Sequence, residues 1–131
     1  MQIHQSAEDY LETILMLNQR MGRVRSIDVV NELGYTKASV SIAMKKLREN
    51  GYIAVDGEGN LTLLEPGREI AERIYSRHRL LTHFFVQLGV DEEVAAEDAC
   101  KAEHILSEQT LEKIREYALL HDAESTLKKE D

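Results

Sequence analysis

Three side chains that can bind a metal ion lie within five consecutive residues. Cys100, Glu103 and His104 stand at positions i, i+3 and i+4, so a helix would place them on one face. A thiolate, a carboxylate and an imidazole together suit a first-row transition metal better than calcium or magnesium. Three ligands leave the coordination incomplete, so other segments must contribute. The alternative interpretation is a buried Cys beside a solvated Glu–His pair.

Other candidate ligands are scattered along the chain. Asp9 and Glu12 are three residues apart near the N-terminus, on one side of a predicted helix, although acids in a first turn can simply complement the helix dipole. His78 and His83 lie on a predicted long helix, where a lone His is more often a surface or satisfied core residue. Residue types alone therefore leave both possibilities open.

The composition predicts a small, mainly helical protein. With 131 residues, one Pro and seven Gly, the chain should form one compact unit, or two small domains that share a core, with few turns. A single Cys cannot form an internal disulfide, which fits a reducing compartment. The sequence has no apolar run of about 20 residues and no signal-peptide pattern at its start, so we expect a cytoplasmic protein.

Charge is unevenly distributed. The net charge is −8, yet residues 20–50 contain seven Lys or Arg and only three acids. A basic face on an acidic body permits DNA binding.

This basic region has the pattern of a winged helix. Ser26 is predicted to cap a short helix that ends at Gly34, and Thr36 to cap a second helix that runs to Asn50. Two β-prone runs follow, separated by the turn formers of residues 56–60. The face of the second helix away from its apolar stripe is small or cationic: Lys37, Ala38, Ser39, Ser41, Ile42 and Lys45. Because the wing tip is acidic, we do not count it as a DNA contact.

Capping residues and apolar periodicity predict four further helices and a charged tail, which we expect to be disordered or frayed. The last helix has an apolar side too wide for a small monomer to bury, which indicates self-association. The predicted bounds are Glu8–Leu17 with Ser6 as cap, Glu65 to about Leu88, a helix capped by Asp91 that ends near Leu106, a helix capped by Ser107, and the tail Ser125–Asp131.

Taken together, these motifs resemble the diphtheria toxin repressor family of metal-dependent transcriptional regulators, most closely its short manganese-transport regulators, which lack the SH3-like third domain. The resemblance covers residues 7–117. Besides the winged helix, it rests on three motifs: Asp9-Tyr10-Leu11-Glu12, Arg77-His78-Arg79-Leu80-Leu81, and Gly89-Val90-Asp91 leading into Glu97-Asp98-Ala99-Cys100-Lys101-Ala102-Glu103-His104.

The resemblance implies a metal site. Asp9, Glu12, His78, Glu103 and His104 match the dinuclear site of the manganese branch. Cys100 occupies a position that is Glu in that branch and Cys in the iron branch, so the sequence is a hybrid. Positions that match the ancillary site of the iron branch are Thr82 and Ala96, which are not convincing ligands.

The resemblance also implies DNA contacts. Thr36, Ala38, Ser39 and Ile42 match positions near base edges, and iron-type members have Gln where this chain has Ile42. The cations that we expect to contact phosphates are Arg25, Lys37, Lys45 and Lys46.

The sequence thus predicts a mainly α protein with an N-terminal winged helix-turn-helix and a two-stranded wing at 1–70, followed by a helical metal-binding and dimerisation domain at 71–131. The implied function is that of a homodimeric, non-enzymatic repressor that binds operator DNA with Mn(II) or Fe(II) as corepressor. Zn(II) or Co(II) could substitute in vitro. The alternatives are a metal-independent winged-helix regulator with a vestigial site and a dinuclear carboxylate metalloprotein.

Overall fold

The computed structural model describes the backbone of residues 5–130 and the side chains of residues 5–123. Within that range it contains six helices and one two-stranded sheet, which confirms the predicted fold class. The chain divides into two compact units, Met1–Arg73 and Ile74–Asp131. In chain order the elements are α1 Gln5–Met21, α2 Ser26–Leu33, α3 Lys37–Glu49, β1 Ile53–Val55, β2 Leu61–Leu63, α4 Glu65–Gln87, α5 Glu92–Ala102 and α6 Glu108–Glu130.

Helices α2 and α3 form the predicted helix-turn-helix of the first unit. Gly34 closes α2 in the left-handed region (φ +72°), and its N–H donates to Val30 O at 2.8 Å. Thr36 caps α3 as predicted, because its hydroxyl oxygen accepts from the Ser39 N–H at 3.1 Å. The two helices and α1 bury a core of aliphatic side chains: Leu11, Ile14, Val24, Val29 and Val40.

Two predicted caps are wrong. Helix α1 begins at Gln5, so Ser6 lies inside the helix rather than before it. Helix α2 is capped at Arg25, not Ser26, because the Arg25 N–H donates to the Asp28 carboxylate at 2.8 Å. An acid at the third helical position can satisfy an N-terminal backbone donor as well as a hydroxyl can. The cap of α2 therefore lies one residue before the predicted one.

The wing is a short antiparallel hairpin in which Ile53 pairs with Leu63. Its turn is organised by the Asp56 carboxylate, which accepts from the backbone N–H groups of Glu58 and Asn60 at 2.9 Å. The hydrogen bonds from Asn60, with a further one from Glu58, lower the pKa of Asp56. The Leu61 N–H donates to Val24 O at 2.7 Å, so the loop before α2 fixes the base of the wing.

Gly67, in the first turn of α4, lies against the backbone of Tyr52, the residue before β1. A Cβ atom there would lie 2.2 Å from Tyr52 O and 3.3 Å from Leu11 Cδ2. Tyr52 O also accepts from the Leu64 N–H at 3.0 Å. The requirement for glycine is therefore steric and does not depend on an unusual backbone conformation.

Tyr10 of α1 packs against Tyr35, which precedes the cap of α3. The ring centroids are 5.9 Å apart in an edge-to-face arrangement, a favoured geometry for aromatic pairs. Burial raises the pKa of Tyr10, and the nearby Tyr35 and Asp9 raise it further. This contact links α1 to the start of α3.

The second unit has a separate core that contains Leu81, Ala99 and Leu111, surrounded by partly buried Leu80, Phe85, Leu106 and Ile114. Helix α6 begins after Ser107, whose hydroxyl accepts from the Thr110 N–H at 3.1 Å, so this predicted cap is confirmed. The backbone of α6 remains helical to Glu130, and the prediction of a disordered or frayed tail is wrong over this range. Asp131 lies outside the described residues.

The predicted extension of α5 to about Leu106 is wrong. Helix α5 ends at Ala102, and residues 103–106 form a turn. The Glu103 N–H still donates to Ala99 O at 2.9 Å, but the Ile105 N–H donates to Ala102 O, three residues back, at 3.1 Å. Such tightening is common in the last turn of a helix. Glu103 and His104 therefore lie at and beyond the helix end.

No helix among the described residues is long and apolar enough to cross a bilayer.

Candidate metal centre and nucleic-acid interface

The second unit holds Glu103 between two histidines. The Glu103 side chain is 0% exposed. Its Oε2 lies 2.9 Å from His78 Nδ1, and its Oε1 lies 3.3 Å from His104 Nε2. Three predicted ligands from two different segments are thus brought together.

This group of atoms fits a transition-metal ion. The 3.3 Å approach of His104 lacks hydrogen-bond geometry, so Glu103 Oε1 is buried without a hydrogen bond from the described residues. Leaving a buried polar atom in that state costs free energy. A carboxylate with two imidazoles supplies the oxygen and nitrogen donors that bind manganese, iron and zinc.

Asp9 and Glu12 belong to the first unit, on α1. They lie three residues apart, so they share one side of the helix. Glu12 is buried at 6% exposure, and Asp9 is half-buried. The prediction that Asp9 and Glu12 share one side of a helix is therefore confirmed. Their role as metal ligands stays a prediction.

Cys100 is exposed on α5. Its sulfur is not among the donor atoms that cluster with Glu103 in the described part of the chain. Ligation by Cys100 stays a prediction.

All nine predicted DNA-binding residues are exposed on the first unit: Arg25, Thr36, Lys37, Ala38, Ser39, Ser41, Ile42, Lys45 and Lys46. Ile42 is 58% exposed, so its side chain is available for an apolar contact with a base edge. Arg25 has a second task, because its guanidinium donates to Glu58 O at the wing tip.

Arg77 contacts the same turn as His78, although no sequence pattern indicates a role for it. Its guanidinium donates to Glu103 O and to the Glu108 carboxylate. The partners are 26 and 31 residues away, so no local pattern indicates them.

A winged helix with an exposed basic helix, followed by a helical unit with a buried carboxylate between imidazoles, defines a DNA-binding protein with a metal-binding unit. Residues 2–61 match the family model of the iron-dependent repressor N-terminal DNA-binding domain. Residues 64–120 match that of the iron-dependent repressor metal-binding and dimerisation domain. The chain belongs to the iron-dependent repressor family of metal-dependent transcriptional regulators, which confirms the resemblance.

Two relatives illustrate the likeness. An HTH-type transcriptional regulator of Methanocaldococcus jannaschii is 36% identical over 113 residues, which cover 85% of this chain and 90% of the relative. The HTH-type transcriptional regulator MntR of Bacillus subtilis is 32% identical over 125 residues, which cover 95% and 88%.

Among solved structures, a manganese-dependent transcriptional repressor in complex with manganese matches with a TM-score of 0.78 and 28% identity. The match covers 86% of this chain but 52% of that one. This chain therefore spans about half the length of that solved relative.

Proposed function

We propose that the protein is a homodimeric repressor that binds operator DNA when Mn(II) or Fe(II) is sufficient and so controls metal-ion homeostasis. The observation that carries this proposal is the buried Glu103 carboxylate between His78 and His104, in a chain that also exposes a basic recognition helix. The protein acts in the cytoplasm on double-stranded DNA and has no catalytic role.

The proposed ligands are Asp9 and Glu12 of α1, with His78, Glu103, His104 and Cys100. Three of these six residues are carboxylates, which suit Mn(II) and Fe(II), while the imidazoles and the thiolate would also accept Zn(II) or Co(II) in vitro. When bound, the ion supplies positive charge that attracts carboxylates from both segments. The acids of α1 would then restrain the helix that packs, through Tyr10, against the start of α3.

In this proposal, restraint of α1 would control DNA binding through the spacing of the two recognition helices. Two recognition helices of a dimer must reach major grooves about one helical turn, or roughly 34 Å, apart. If only a fraction of apo dimers has that spacing, the apparent affinity falls by the same fraction. Ligands that favour the competent arrangement raise operator affinity without touching DNA.

Helix α6 supports the homodimer. Leu111 and Ala118 are buried in the unit, whereas Tyr117, Leu119 and Leu120 on the same helix are more than half exposed. Large apolar side chains in such a group commonly mark a protein interface, here with a second copy of the chain.

Metal dependence of operator binding tests this function. Fluorescence anisotropy with DNA from the protein's own promoter should show tight binding with Mn(II) or Fe(II) and at least about 10-fold weaker binding in chelator, because only the liganded dimer is held in the competent arrangement. Equal affinity in excess chelator would indicate a metal-independent regulator. Metal binding without any DNA affinity would favour a dinuclear metalloprotein.

Lys37 and Lys45 are exposed on α3, and we expect each to contact a phosphate. Replacing either by Ala should weaken operator binding and reduce the salt slope of log K by about one, because one fewer counterion is released. Lys113→Ala is the matched control. Lys113 is an exposed residue of α6, so the variant loses the same charge but should leave the salt slope unchanged. An unchanged slope for Lys37→Ala and Lys45→Ala would mean that another face of α3 meets DNA.

A further inference from the structure

Arg77 and His78 are neighbours on α4, and both contact Glu103. The Arg77 Nη1 donates to Glu103 O at 3.2 Å, and its Nη2 donates to the Glu108 carboxylate in the first turn of α6. His78 Nδ1 meets the carboxylate of the same Glu103 at 2.9 Å. Adjacent residues thus hold the main chain and the side chain of one candidate ligand.

The contact matters because α5 has ended before Glu103. The last carbonyls of a helix have no intrahelical donor and need another partner. Arg77 supplies that donor for Glu103 and, through Glu108, ties the turn to the start of the next helix. The Arg77 side chain is 14% exposed, so its bond to Glu103 O is partly shielded from water. Glu108 is 78% exposed, so its ion pair with Arg77 contributes less, as surface pairs usually do.

We propose that Arg77 is a positioning residue that orders the turn carrying Glu103 and His104 for metal binding. This inference rests on the proposed function of that site. Arginine suits the role because its planar fork donates in two fixed directions at once, whereas lysine presents a single flexible ammonium. Groups that orient metal ligands typically change metal affinity by about 10- to 100-fold when removed.

Arg79 provides a matched control on the same helix. It is exposed and lies over the Tyr75 ring, 5.8 Å from the centroid. Arg79→Ala removes the same charge as Arg77→Ala from a position two residues away on the same helix. Any effect of net charge on metal affinity is therefore common to both variants.

The test is a calorimetric Mn(II) titration of the full-length wild type, Arg77→Ala, Arg77→Lys, Glu108→Gln and Arg79→Ala, well below their unfolding temperatures. Mn(II) affinity should fall about 10- to 100-fold in Arg77→Ala, less in Arg77→Lys and Glu108→Gln, and less than about 3-fold in Arg79→Ala. The visible spectrum of the Co(II) complex should also change in Arg77→Ala, because displaced ligands alter the ligand field. Loss of stability alone would not change that spectrum.

Equal Mn(II) affinities and Co(II) spectra for Arg77→Ala and Arg79→Ala would overturn the positioning role. If Arg77→Ala does not fold, Arg77→Lys and Glu108→Gln decide the question by the same criterion. The wild-type protein could bind metal without any change in its operator affinity. That result would overturn the proposed function and leave the role of Arg77 intact. These two failures are therefore distinguishable.

Discussion

Glu103→Gln should lower the affinity for Mn(II) by more than about 100-fold. Loss of a ligand should cost more than the roughly 10- to 100-fold that follows loss of a group that only orients one. The apo variant should be at least as stable as the wild type, because a buried ionisable group is replaced by a neutral amide of similar shape. Metal-induced stabilisation, about 2.7 kcal/mol at a free ion concentration of 100 Kd, should disappear in the variant.

Calorimetry and thermal unfolding with and without Mn(II) measure both effects. Glu97→Gln makes the same chemical change at an exposed position of α5 and should behave as wild type. If Glu103→Gln binds Mn(II) as tightly as Glu97→Gln does, the Glu103 carboxylate is not a ligand.

The same titrations decide the role of Cys100. A thiolate is a softer donor than an alcohol, so Cys100→Ser should weaken Fe(II) binding more than Mn(II) binding if the sulfur is a ligand. Unchanged affinity for both ions would leave the exposed thiol outside the site.

Gly67→Ala should destabilise the first unit by about 1–3 kcal/mol, the usual cost of overpacking. The added methyl would lie 2.2 Å from Tyr52 O, which is backbone and cannot move aside as a flexible side chain could. Alanine gains about 1 kcal/mol over glycine in an exposed helix, and here the clash exceeds that gain. Chemical denaturation measures the change.

Gly57→Ala is the matched control, because a Cβ atom at Gly57 in the wing meets nothing within 4 Å. It should change the free energy of unfolding by less than about 0.5 kcal/mol, as surface substitutions usually do. Gly67→Ala as stable as Gly57→Ala would show that the start of α4 can shift away from the wing without cost.

The parts of the fold that sequence could predict are those decided locally. Thr36 and Ser107 accept from N–H groups three residues later, so the capping pattern is contained in four residues. The end of α5 is different, because Ala102 and Glu103 are both acceptable in a helix. The donor that satisfies Glu103 O is Arg77, 26 residues earlier, and a local pattern cannot reveal it.

For the candidate metal centre too, the sequence predicted the residue types but not their geometry. Residue types and the family resemblance predicted Glu103, His78 and His104 as metal ligands, and the structure brings these three side chains together. The spacing predicted that Cys100 would share their face, and this depended on a helix that continues past Ala102. The geometry of the centre depends on contacts between α4 and the turn after α5, such as the pair His78 and Glu103, 25 residues apart.

The Tyr10–Tyr35 contact is a suitable position for a tryptophan that reports structural change by its fluorescence. The chain contains no tryptophan, so Tyr35→Trp would introduce a single indole next to the helix that carries Asp9 and Glu12. Its ring would lie against Tyr10 on one side and remain open to water on the other, since Tyr35 is 43% exposed. The emission wavelength of that indole would follow movement of α1 relative to the recognition helix during a metal titration, with no DNA or dye in the cuvette.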